Sequence, residues 1–114
     1  MSDDIVYINV NEGLKRVMNN TKLFCNLLTK FKAYTHVNEI ETSIAEGDIE
    51  KARVAAHTLK GLAANLSLAE LYKQIAELEM HLKEGKKDTA QLVLVKEIHT
   101  QTLLEADKVI AQYA

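Results

Sequence analysis

The sequence predicts an all-α protein, an antiparallel up-down-up-down four-helix bundle with an additional short N-terminal helix. Three observations carry that expectation. The 114 residues contain no proline and only four glycines, at positions 13, 47, 61 and 85. The apolar 47% consists mostly of Leu, Ala, Ile and Val, a composition that favours helix. Long stretches place those apolar residues at helical spacing, separated by short polar breaks. The length suits one compact domain spanning residues 1–114.

Each element has its own signals. After a segment of about ten residues, Asn11 is positioned to cap a short helix running to about Met18, and Asn19-Asn20-Thr21 supplies a break and a fresh cap. From Thr21, the positions Phe24, Leu27, Leu28, Phe31, Val37, Ile40 and Ile44 suggest one long helix to Glu46, stopped by Gly47. Asp48 then caps a helix reaching about Asn65 or Leu66, with Ile49, Ala52, Ala55, Leu59, Leu62 and Leu66 inward. Ser67 and Glu70 form a capping-box pattern ahead of a helix whose seam is Leu68, Leu71, Ile75, Leu78 and Leu82, ended by Gly85. Asp88 opens the last helix, where Leu92, Val95, Ala106, Ile110 and Tyr113 line one face and Ile98 and Leu103 broaden it. Short connections between such helices give antiparallel neighbours.

Charge and composition exclude several functions. The formal net charge is −2 with Lys and Glu mixed throughout, so no sustained positive face exists for nucleic acid. Lys83, Lys86 and Lys87 around Gly85 read as solvated helix ends. The longest apolar run, Leu92 to Val95, is far short of the roughly 20 residues of a membrane span. Asp3 and Asp4 stand where a signal peptide carries basic residues, and Cys25 is the only cysteine, so a cytoplasmic protein is expected. Cys25, among Leu23, Phe24, Leu27 and Leu28, reads as a small hydrophobe. The residues three before each histidine are Ala33, Val54, Leu78 and Lys96, so the paired Glu-x-x-His of a carboxylate-bridged metal bundle is missing. No phosphate-binding glycine loop or kinase motif is present, which leaves ATP without a site.

One segment departs from the pattern of a plain bundle. On a wheel of about 100° per residue, His57 lies opposite Leu59, Leu62, Leu66, Ala52 and Ala55, with Glu50, Arg53, Lys60, Gly61 and Ala64 around it. The imidazole is thus expected in solvent. Gly61, one turn on, costs about 1 kcal/mol relative to alanine in a helix interior, yet the apolar pattern continues through it. Its lack of a side chain bares the backbone beside His57, and Ala64 keeps the same strip shallow, so a partner's loop can approach. Lys60, and less directly Arg53, are placed to countercharge a phosphoryl group on the ring. Val54 and Ala64 are candidate apolar contacts for a docking protein, with charges at the rim.

The run Ala56-His57-Thr58-Leu59-Lys60-Gly61-Leu62-Ala63-Ala64-Asn65-Leu66 resembles the signature of the histidine-containing phosphotransfer (HPt) domain. Gly13-Leu14-Lys15-Arg16, Leu27-Leu28-Thr29-Lys30-Phe31, Glu46-Gly47-Asp48 and Ala76-Glu77-Leu78-Glu79 resemble the rest of that family in order and spacing, from about residue 8 to the last helix. The chain departs from it at Ser67, where the family usually has glycine, and at Leu62, where it tends to have a small residue. The resemblance implies a phosphocarrier without kinase activity. His57 is then the phosphoryl acceptor, Lys60 a countercharge, Gly61 the point of close approach, and Arg53, Val54 and Ala64 partner contacts. It implies receiver domains and a hybrid sensor kinase as partners, with Mg²⁺ in the receiver and no cofactor on this chain. A monomer is expected, because the seams are accounted for internally. The rival expectation from the same fold is an interaction bundle that binds a receiver or another signalling protein without being phosphorylated.

Overall fold

The computed structural model describes residues 5–87 and 89–113. Asp3, Asp4 and Asp88, the last expected to open the final helix, lie outside them. The described residues form α1 (Val10–Arg16), α2 (Thr21–Lys32), α3 (His36–Ala45), α4 (Ile49–Asn65), α5 (Ala69–Lys83) and α6 (Thr89–Tyr113). No described helix is long and apolar enough to cross a membrane. α4 packs on α3 and α5, α6 on α5 and α2, so α2 and α3 together make one side of a four-sided bundle, and α1 sits against α2.

The single long helix expected over residues 21–46 is two. Phe31 and Val37 are buried while Tyr34 and Thr35 between them are exposed. Six residues of unbroken helix would rotate Val37 by about 600°, roughly 120° away from Phe31 and further still from Phe24 and Leu28. A break at residues 33–35 restores the register. Ala33 N–H closes α2 on the Lys30 carbonyl and Tyr34 N–H on that of Phe31, and Thr35 begins α3 without a side-chain cap. The Tyr34 ring meets Phe31 and His36 edge-on, at centroid distances of 6.1 and 5.6 Å, and fills the corner.

Side-chain oxygens cap three helices: Asn9 accepts from Glu12 N–H at 3.1 Å, Asn20 from Leu23 N–H at 2.9 Å and Asp48 from Lys51 N–H at 3.0 Å. The first cap is therefore Asn9, two residues before the expected Asn11. α1, α3, α4 and α5 each end in a Schellman motif. Its left-handed position is held by Met18 (φ 56°), Gly47 (φ 81°), Ser67 (φ 57°) and Gly85 (φ 79°).

At α4, Leu68 N–H reaches Ala63 O at 2.9 Å and Ser67 N–H reaches Ala64 O at 3.2 Å. Ser67 thus closes α4 and does not open α5, and the expected capping box does not form. Its hydroxyl donates to Glu12 Oε1 at 2.8 Å. Asn9 N–H donates to Ser67 O at 2.9 Å, and Glu70 N–H to Val6 O at 3.2 Å. These bonds seat the N-terminal segment over the turn that ends α4. A left-handed position in this turn is what a glycine serves best, which accounts for the residue the resembled family prefers there.

The core joins Phe24, Leu28 and Phe31 to Ile40, Leu59, Leu71, Ile75, Leu78 and Val95. On α4 the buried arc differs slightly from the expected one: Ala56 and Ala63 are fully buried and Leu62 only half-buried. Neighbours on both sides, α3 and α5, widen that arc, and alanines allow both to approach. On α6 the buried line is Leu92, Val95, Ile98, Thr102, Ala106 and Val109, with Ile110 half-buried and Tyr113 exposed. Buried Thr102 is satisfied by its own helix, donating to Ile98 O at 2.7 Å.

Candidate functional site

α4 and α5 together build the site around His57. Asp48 fixes the start of α4, and nine residues on, its outward face presents His57 with a side chain 66% exposed. From α5, Glu79 reaches under it. Its Oε2 lies 2.9 Å from His57 Nδ1, and its Oε1 2.6 Å from Lys60 Nζ. Lys83 Nζ stands 3.9 Å from Oε2. Glu79 itself is 1% exposed.

A buried carboxylate is tolerable only with compensating charge and hydrogen bonds. Burial pushes the Glu79 carboxyl upward, but the hydrogen bonds and charges of Lys60 and His57 outweigh it and hold it below its ordinary value. Glu79 is therefore ionised at neutral pH and can only accept. That assigns the proton of the neutral imidazole to Nδ1, leaving the Nε2 lone pair unprotonated.

Sequence reasoning missed Glu79 as a site residue. It stands four residues after Ile75 and three before Leu82, within the apolar stripe of α5, and a carboxylate in that stripe was the available signal. Lys60, expected beside the ring as a free countercharge, is half-buried and engaged by Glu79.

Arg53, one turn before His57, is also engaged. Its Nε donates to Glu50 Oε1 at 3.0 Å and its Nη2 to Oε2 at 2.5 Å. That bond comes first in holding the Glu50 carboxyl below its usual value, and it raises the Arg53 guanidinium in turn.

The remaining expected positions form the outward strip. Gly61 has no atom within 4 Å of where a Cβ would stand, so nothing in the fold requires glycine there. Val54 is half exposed. Ala64 lies at the edge of a surface cavity of about 360 Å³, shared with Ala63, Leu68, Tyr72, Glu12 and Arg16. The other histidines lie elsewhere: His81 Nε2 pairs with Glu77 at 3.1 Å, His36 abuts Tyr34, and His99 packs against Phe31, burial holding its imidazole below the ordinary value. Among the described residues, no group of three or more His, Cys, Asp or Glu side chains is placed to hold a metal ion.

A family model described as Hpt domain matches residues 30–108. Comparison with curated proteins and with solved structures gives no match.

Proposed function

Because the chain belongs to the Hpt domain family, whose members are phosphocarriers in phosphorelays and not kinases, we propose that His57 is its phosphoryl acceptor and Nε2 the accepting atom. The observation that carries this reading is the Glu79–His57 contact. A buried, ionised carboxylate fixes the ring by Nδ1 and turns the unprotonated Nε2 away from α5.

The Nε2 lone pair attacks phosphorus in line, and the N–P bond forms. The P–O bond to the receiver's aspartate breaks, and its electron pair leaves on that carboxylate. The ring keeps its Nδ1 proton and so gains positive charge, which Glu79 stabilises from 2.9 Å. The same charge makes the imidazole a better leaving group in onward transfer to a second receiver. In this reading the receiver supplies the aspartate, a lysine and Mg²⁺, and this chain binds no cofactor. A hybrid sensor kinase feeds the relay, and the protein works in the cytoplasm as a monomer.

Lys60 keeps Glu79 ionised and adds positive potential beside the ring. Gly61 and Ala64 keep the strip shallow for the receiver's loops, and Val54 offers it an apolar contact. The test is transfer of labelled phosphate from a panel of phosphorylated receiver domains to the wild-type protein and to His57→Gln. Acid-labile label on the wild type alone is the expected result, with the fold of His57→Gln intact because the side chain is exposed. Binding of a receiver without any label would favour the interaction bundle.

A further inference from the structure

The cations beside His57 are both occupied, and they differ in what releasing them would cost. Lys60 compensates a buried carboxylate, so withdrawing it leaves Glu79 with less of the charge that keeps it ionised. Arg53 is held by Glu50, three residues away on the same exposed surface, with side chains 29% and 72% exposed. Breaking such a pair hands both groups back to water at little cost. Arg53 stands four residues before His57 on α4, a spacing that puts the two side chains next to each other on one helix face. Its planar fork fits two carboxylate oxygens or two phosphoryl oxygens equally well.

Resting on the reading of His57 as acceptor, we propose that Arg53 is the cation that clasps the phosphoryl group, and that Glu50 competes with that group for it. In the unphosphorylated protein Glu50 holds the guanidinium parked one turn from the imidazole. A phosphoryl group on Nε2 brings more charge and three acceptor oxygens, and the fork passes from Glu50 to it. Glu50 thus acts only through Arg53, as a positioning residue, and tunes how strongly the phosphorylated form is favoured. Glu79, Lys60 and Lys83 remain in their own cluster during the exchange.

The test uses the whole protein phosphorylated chemically with potassium phosphoramidate, and follows the ³¹P shift of the phosphohistidine against pH. Wild type, Glu50→Gln, Arg53→Gln and the double variant are compared. A clasping cation lowers the pKa at which the phosphoryl group takes up its last proton. Glu50→Gln is expected to lower that midpoint by about 0.5 unit, a roughly threefold change in proton affinity. Arg53→Gln should raise it, and the double variant should match Arg53→Gln, since Glu50 has no effect without Arg53. Equal midpoints in all four proteins, or a double variant that follows Glu50→Gln, would overturn the proposal. Absence of phosphohistidine at His57 in the wild type would overturn the reading of His57 itself, a different failure.

Discussion

Glu79 Oε2 lies 2.9 Å from His57 Nδ1, so a carboxylate that is 1% exposed on α5 is joined to an imidazole that is largely exposed on α4. The pair divides the ring into a held nitrogen and a free one. Replacing Glu79 by Gln preserves shape but removes the charge, and the amide can present N–H to Nδ1 and select the opposite tautomer. Glu79→Gln is expected to slow phosphoryl acceptance about 10- to 100-fold, by analogy with losing the partner that orients a metal-ligating histidine. Single-turnover transfer from a phosphorylated receiver measures it.

The same carboxylate makes stability depend on pH. Its folded-state pKa is below its ordinary value of 4.5, so the folded protein binds fewer protons than the unfolded chain as pH falls through this range. The stabilisation is fully present above about pH 4.5 and is lost as pH falls through the lower folded value. Urea unfolding of wild type and Glu79→Gln from pH 7 to pH 3 should show a constant difference at the upper end that shrinks below the ordinary carboxylate range.

How much was legible beforehand follows from which signals are local. The caps at Asn20 and Asp48 and the stops at Gly47 and Gly85 depend on a few adjacent residues, and the structure has them where the sequence put them. The α2–α3 corner was visible only as the six-residue gap between Phe31 and Val37, which β-branched Thr35 and Val37 left ambiguous. Ser67 carried a capping-box pattern, but the bonds that decided its role come from Glu12 and Asn9, more than fifty residues away. Glu79 was missed for the same reason. Its meaning depends on an adjoining helix, and only packing brings His57 and Lys60 to it.

Gly61 separates stability from docking. A Cβ there meets nothing within 4 Å, so Gly61→Ala is expected to stabilise the fold by about 0.5–1 kcal/mol through helix propensity alone. Gly61→Leu should also remain folded, yet raise the KM for a receiver because the bare strip is lost. Denaturant midpoints and transfer kinetics on both variants check the two halves independently.

Gly13 is the reverse case. A Cβ at that position would lie 2.5 Å from Phe24 Cε1 and 2.7 Å from Cζ, and the Phe24 ring is buried in the core. Gly13→Ala is expected to destabilise the protein by about 1–3 kcal/mol, the cost of overpacking a tight contact. A lowered urea midpoint with unchanged slope would register it.

Acceptance of the phosphoryl group on His57 Nε2, with Nδ1 held by Glu79, can be read atom by atom by nitrogen-resolved NMR of the phosphorylated protein with ¹⁵N-labelled histidine. A phosphorus-coupled Nε2 on His57 is expected, with Nδ1 protonated and the other three imidazoles unchanged. Phosphorus on Nδ1, or on any other histidine, would contradict it.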